Sequence, residues 1–227
     1  VELGGNGANT AVTAARLGVP TALAGVLGDD VFGGHLRELL TAEGIDLSLL
    51  LTRESCGAPV TLVLNDQAGE RSFVHHGGSN DSWELPTAAL AKPWDVFHMA
   101  APELLGSFWP NPCLETARSV KSAGIELSLD VFVSRDDLEP DSDPAETHAP
   151  LLELADMVFP NEAEARAITG RDRLEDVLAC LHGLGVTIAV IKRGERGAIV
   201  SWDGQVEKIP AEEVTAIDTC GAGDNFV

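Results

Sequence analysis

Positive charge is scarce in this sequence. Its 227 residues carry 15 Lys and Arg against 36 Asp and Glu, a formal net charge of −21. A chain this acidic repels phosphates on average, which excludes unaided binding to a nucleic-acid backbone. The acids otherwise read as a solvated surface. Long apolar runs are also missing. The best stretch, residues 17–28, contains Pro20 and three glycines and falls short of the ~18 residues a membrane span requires, so no membrane partner is expected. Cys56, Cys113, Cys180 and Cys220 lie far apart with no CxxC pair. That spacing argues against a zinc ribbon or a dense disulfide framework and for reduced thiols in a cytoplasmic protein. GxGxxG and GxxxxGK[ST] are absent, as are GxSxG and HExxH. The missing patterns remove the Rossmann fingerprint, the P-loop, the serine-hydrolase elbow and the zincin helix. There is no internal repeat. The chain opens at Val1 without a methionine and stops at Val227 inside an apparent motif, so a fragment is expected.

What is present is enough for a folded core. Apolar residues make up 44% and charged residues 22%, which excludes global disorder. The length predicts one α/β domain with an appendage. A glycine turn at 4–7 leads into a helix over 8–17, followed by a buried strand over 21–26 closed by Gly28. Leu36, Leu39 and Leu40 recur at helical spacing, and Gly44 supplies a stop. Residues 57–76 change character: Val60, Leu62 and Leu64 alternate, 66–69 read as a turn, and 72–76 return as the second strand of a hairpin. From Trp94 onward strands alternate with helices. Strands are predicted over 96–99, 125–129, 157–159 and 186–191, and helices over 114–122, 162–169 and 174–184. Residues 140–150 read as a loop holding at most a short helix, and 198–209 as a hairpin around Asp203-Gly204. The rhythm implies a central parallel sheet with helices on both sides, the early hairpin being the odd piece.

Four segments carry chemistry. In Asp218-Thr219-Cys220-Gly221-Ala222-Gly223-Asp224, small residues let consecutive N–H groups approach a ligand. A helix starting there favours an anion, and Asp224 stands where a general base is needed to deprotonate a hydroxyl. A glycine-rich cap with a capping aspartate is the alternative. In Pro160-Asn161-Glu162-Ala163-Glu164, at a strand's carboxyl end, Asn161 and Glu164 share a helix face and suit Mg²⁺ held largely through water. An acid-rich first helical turn fits equally. Lys192-Arg193-Gly194-Glu195-Arg196-Gly197 offers bases to phosphate oxygens or reads as a solvated turn. Gly4-Gly5-Asn6-Gly7-Ala8-Asn9 places backbone amides and an asparagine where a polyol can be hydrogen-bonded.

In this order and at these intervals, the four segments resemble the ribokinase-like (PfkB) carbohydrate kinases. Residues 4–11 with Gly18 and Gly28 resemble the first family signature and 218–224 the second; 160–164 and 192–197 match the stretches between. The resemblance spans nearly the whole chain. It implies a three-layer α/β/α sandwich with a central, mostly parallel sheet and a small β lid at about 57–77. Residues 1–227 would form a single kinase domain, truncated at both ends: the family's first strand and its C-terminal helices are not in the sequence. The implied reaction moves the γ-phosphoryl group of ATP to a hydroxyl of a ribose-, fructose- or ketodeoxygluconate-type sugar. An adenosine-type nucleoside kinase and a truncated non-catalytic binding remnant are the alternatives.

By matching positions, Asp224 is the base and Gly221, Ala222 and Gly223 the anion hole. Gly4, Gly5, Asn6, Gly7 and Asn9 hold the sugar. Asn161, Lys192, Arg193, Gly194, Glu195 and Gly197 line the nucleotide, with Glu164 and Asn161 organising Mg²⁺. In several relatives a monovalent cation such as K⁺ sits beside the equivalents of Asp218 and Cys220, and relatives often dimerise through the lid.

Overall fold

The computed structural model describes residues 3–65, 71–83, 85–133, 143–215 and 219–227. Helix α1 (Asn6–Arg16) begins behind Gly5, whose φ of +98° only glycine adopts without strain. Strand β1 (Gly25–Gly28) pairs in parallel with β2 (Leu50–Arg53). Between them runs α2 (Val31–Ala42), capped by Asp30, whose Oδ1 accepts from Gly33 N at 2.8 Å. The other Asp30 oxygen accepts from Ala58 N at 3.1 Å, tying the hairpin's base to this cap. A methyl group on Gly28 would lie 2.3 Å from the Cys56 carbonyl oxygen, so the backbones approach as only glycine permits.

Strands β3 (Val60–Asn65) and β4 (Arg71–His76) form an antiparallel hairpin of their own. The principal sheet holds six strands in the order β10-β9-β8-β7-β6-β5. Four are parallel: β5 (Val96–Ala100), β6 (Glu126–Asp130), β7 (Met157–Val158) and β8 (Ile188–Lys192). Strands β9 (Ala198–Trp202) and β10 (Gln205–Ile209) complete it antiparallel. The intervening helices are α3 (Asn111–Ser122), α4 (Pro144–Leu152), α5 (Glu162–Thr169) and α6 (Leu174–Gly183); α7 (Ala222–Phe226) closes the chain.

Alternation along the strands separates the two faces. On one, Leu127, Leu129, Val158, Ala189, Ile191 and Ile199 meet Ala117, Val120, Leu152, Ile168 and Leu181 from the helices in a nearly water-free core. Burial of each large aliphatic side chain there contributes roughly 1.5–3 kcal/mol. The other face carries His98, Ser128, Asp130 and Lys192, and α1 packs over it at β5, with Gly7 admitting Ala100 closely. The fold is a three-layer α/β sandwich, as the strand–helix alternation predicts.

Three local expectations are corrected. The strand expected over 21–26 begins only at Gly25; Ala22 makes an isolated bridge to Asp46. Strand β2 was not anticipated; its four residues are too few to show a period. The segment 140–150, expected as a loop with at most a short helix, enters nine-residue α4 at Pro144 and so carries more helix than expected; Asp143 caps it, accepting from Ala145 N at 2.9 Å, with Pro144 in the first turn. Pro150 lies inside that helix, which is why the segment reads as a breaker. The turn expected over 66–69 lies outside the described residues.

Candidate active site

The carboxyl ends of β5, β6 and β8 and the amino ends of α1 and α7 converge on one side of the sheet, where ligands of open α/β sheets collect. Helix α7 is pinned across α1. Asn9 Nδ2 donates to Asp224 Oδ2 at 2.8 Å, Thr10 Oγ1 donates to the Asp224 carbonyl at 2.8 Å, and Thr13 Oγ1 donates to Asn225 Oδ1 at 2.9 Å. Gly221 caps α7 with a φ of +70°. A methyl group there would lie 2.9 Å from Asn9 Nδ2 and 3.6 Å from Asp224 Oδ2, so a side chain would enter the contact that orients the carboxylate. Of the three residues expected to form an anion hole, Ala222 turns its N–H back onto the Thr219 carbonyl at 3.2 Å.

The amino-terminal glycines lie beside this junction. Space is open around the α-carbons of Gly4 and Gly5, and Asn6 follows in the first turn of α1. Asn9 was expected to contact a sugar; one N–H of its side-chain amide is engaged by Asp224.

Lys192 ends β8 as a half-buried side chain. Its ammonium donates to Asp130 Oδ1 at 2.7 Å, the two side chains being 13% and 6% exposed. A methyl group on Gly223 would lie 3.6 Å from Lys192 Nζ, which places that ammonium against the first turn of α7. Burial pushes the Asp130 carboxyl above its usual range against the pull of Lys192, with Asp224 and Glu103 adding repulsion.

Asn161 and Glu164 form a capping box at the head of α5. Asn161 Oδ1 accepts from Ala163 N and Glu164 N at 2.9 and 3.0 Å, and Glu164 Oε2 accepts from Asn161 N at 2.7 Å. Burial pushes the Glu164 carboxyl up to about 7, although the Asn161 N–H and Lys192 favour its charged form. The acid-rich helix start weighed for this segment is present as a capping box, with the Glu164 carboxyl half-buried in it.

The next segment divides. Arg193 Nε donates to Glu162 Oε1 at 2.8 Å, and Arg196 pairs with the same carboxylate. One donor of each guanidinium is thus engaged by Glu162 at the turn. Gly197 is structural: a methyl group there would lie 1.9 Å from the Ile209 carbonyl oxygen. Gly194 and Glu195 are exposed, with open space around Gly194. Asp218, one half of the expected monovalent-cation pair, lies outside the described residues; Cys220 is exposed.

Three residues of the cluster were not singled out in the sequence. Asp130 directly follows the strand predicted over 125–129 and belongs to no motif. Glu103 accepts from Phe132 N at 3.1 Å and pairs with His148 Nε2 at 2.9 Å, locking the turn after β5 to the chain leaving β6. His98 Nδ1 lies 2.9 Å from Ser128 Oγ, while its buried Nε2 has no partner among the described residues. Burial, helped by Lys192, pushes the His98 imidazole down to about 4. Isolated residues of these types carry no spacing signal; only the sheet register brings them together.

The donor set bears on Mg²⁺. Among the described residues no three His, Cys, Asp or Glu side chains converge as a metal cage. Glu164 retains one oxygen beyond its cap, next to the Asn161 amide oxygen of the same capping box. A few hard oxygens of this kind fit a hydrated Mg²⁺ that takes its remaining ligands from phosphate.

Comparison with known proteins places this geometry in a family. The model of the pfkB family of carbohydrate kinases matches residues 1–227. Over 229 residues the chain is 31% identical to a fructokinase of Escherichia coli, covering 99% of this chain and 74% of that protein. The structure of Arabidopsis thaliana ribokinase complexed with ribose and ATP superposes with a TM-score of 0.79 at 26% identity, over 98% of this chain and 72% of that one. Aminoimidazole riboside kinase from Salmonella enterica, complexed with aminoimidazole riboside and an ATP analogue, superposes with a TM-score of 0.77 at 26% identity, over 97% and 72%. The chain belongs to the pfkB family of carbohydrate kinases.

Proposed function

We propose that this chain transfers the γ-phosphoryl group of ATP to a hydroxyl of a small sugar, with Asp224 as general base. The observation that carries the reading is the Asn9–Asp224 contact. It holds one carboxylate oxygen at 2.8 Å and leaves the other for a substrate hydroxyl between α1 and α7. The ring of residues 4–9 supplies the sugar contacts, from the amides of Gly4, Gly5 and Gly7 and the side chains of Asn6 and Asn9. The amino end of α7, through Gly221 and Gly223, faces the triphosphate. Gly194 and Glu195 border the nucleotide.

Phosphoryl transfer depends on alignment and charge neutralisation rather than covalent participation by the protein. When bound, Mg²⁺ would neutralise phosphate charge, and Glu164 with Asn161 would hold it largely through water. The β3–β4 hairpin, with Leu62 and Val74 each more than half exposed, is the element available to cover a bound sugar and exclude water. The relatives named above act on or bind fructose, ribose and a riboside, so the substrate class proposed is a furanose-forming sugar, free or as a riboside.

The test is ADP formation from ATP with ribose, fructose, ketodeoxygluconate and adenosine, repeated with Asp224→Asn. Turnover with at least one acceptor is expected, and the substitution should remove about 10²- to 10⁴-fold of it, the usual range for a positioned base. An Asp224→Asn rate equal to that of the parent chain overturns the assignment.

A further inference from the structure

We infer that Asp130 is a positioning residue that holds the Lys192 ammonium against the first turn of α7, where it contacts the transferring phosphoryl group. The inference deepens the sugar-kinase reading and rests on it. It also changes what Lys192 does: a residue first placed along the nucleotide with its neighbours becomes the cation of the reaction centre.

The geometry separates Lys192 from the rest of its segment. Arg193 and Arg196, one and four positions further on, turn outward to Glu162. Lys192 turns the opposite way, across β7, to Asp130 at the end of β6. Its ammonium stands 3.6 Å from the position of a methyl group on Gly223, the second residue of α7.

An ammonium is not placed here cheaply. The Lys192 and Asp130 side chains are 13% and 6% exposed, and an ion pair taken from water recovers its desolvation only with good geometry. Packing alone does not account for the choice, since apolar residues of similar volume often serve stability as well. A phosphoryl group arriving at the α7 terminus does account for it. Lys has three donors and one is spent on Asp130, which leaves others to reach phosphate oxygens. Asp130 also fixes a flexible four-carbon side chain in the reactive position before nucleotide arrives.

The test compares Lys192→Met, Lys192→Arg, Asp130→Asn and the Asp130→Asn/Lys192→Met double variant in the full chain. Steady-state kinetics with the best sugar are combined with calorimetric binding of ADP and of a non-hydrolysable ATP analogue. Lys192→Met should lower kcat about 10²-fold while KM for the sugar stays within about 3-fold, because the contact strengthens in the transition state. Asp130→Asn should lower kcat about 10-fold, and the double variant should be no slower than Lys192→Met alone, as expected of residues acting as one unit. Lys192→Arg should recover part of the loss.

Binding provides the readout that does not need turnover. The parent chain should bind the triphosphate analogue more tightly than ADP, and Lys192→Met should erase that preference while leaving the ADP affinity within about 2-fold. Unchanged kcat and unchanged preference in Lys192→Met overturn the inference. Additive losses in the double variant overturn the positioning role of Asp130. A parent chain that shows the binding preference but phosphorylates no acceptor overturns the sugar-kinase reading and leaves the lysine's contact with the triphosphate standing. A parent chain that binds neither nucleotide overturns both.

Discussion

Asn9 Nδ2 and Asp224 Oδ2 stand 2.8 Å apart although 215 positions separate the residues. The contact spans the two ends of the chain and sets the rotamer of the proposed base. Its consequence is a graded response at position 9. Asn9→Leu removes the donor and lets the carboxylate rotate, with an expected fall in kcat of about 10-fold. Asn9→Asp puts a second carboxylate against the first, and repulsion should swing Asp224 away. A displacement near 1 Å costs about 10²-fold in such centres. Steady-state kinetics on the two variants, with circular dichroism to check folding, decide the matter. Equal losses in both would mean that Asn9 serves only the sugar.

The glycines of the last motif are not equivalent. Gly221 has a φ of +70° and no space for a methyl group beside Asn9. Gly221→Ala should therefore cost about 1–2 kcal/mol of stability from backbone strain alone, together with most of the activity. Gly223 has no positive φ, and a methyl group there would make only ordinary contact with Lys192. Gly223→Ala should leave the urea midpoint almost unchanged and act on turnover through the lysine. Denaturation curves for the two variants that coincide would contradict this distinction.

The legible part of the molecule is the part written in local pattern. The aliphatic run ending at Ile191, the alternation of Val60, Leu62 and Leu64, and the Asn161–Glu164 spacing each announced an element that the fold contains. The strand at Leu50–Arg53 is too short to show a period, and α4 was hidden by the proline within it. Asp224 and Asn9 each stood out beside a glycine-rich motif, and the fold brings the two side chains into contact. Asp130, Glu103 and His98 did not stand out, because their meaning comes from register: Asp130 is placed opposite Ala100, and His98 opposite Ser128, only by the pairing of β5 with β6. Lys192 was visible as a base, but nothing in Lys192-Arg193 indicates that adjacent cations turn to opposite sides.

That division within 192–197 gives a stability prediction. Gly197 has a φ of +77°, and a methyl group on it would collide with the backbone at Ile209. Gly197→Ala should destabilise the β9–β10 hairpin by about 3 kcal/mol, combining strain and overpacking. Gly194 also has a positive φ, +58°, but open space around it, so Gly194→Ala should cost only about 1 kcal/mol. Chemical denaturation of both variants measures the difference. Gly194→Ala proving the more damaging would refute the structural role given to Gly197.

His98 and Glu164 impose opposite pH dependences on stability. Burial lowers the folded His98 imidazole from 6.5 to about 4. The unfolded chain therefore binds the extra proton first, and this contribution, full above pH 6.5, is lost as the pH falls toward 4. Glu164 is raised in the fold from 4.5 to about 7. Its contribution is full below pH 4.5 and is lost as the pH rises toward 7. Each shift corresponds to about 3 kcal/mol, so between pH 4.5 and 6.5 the two slopes largely cancel. Single substitutions should uncover them. Glu164→Gln keeps an oxygen for the Asn161 N–H but cannot ionise, and its stability relative to the parent should rise with pH across this window. His98→Leu removes the unpartnered nitrogen and should show the reverse, a relative stability that falls as the pH rises. Urea midpoints for the three proteins at half-unit intervals from pH 4.5 to 7 provide the comparison. Parallel curves for parent and variants would show that neither group changes its proton affinity on folding.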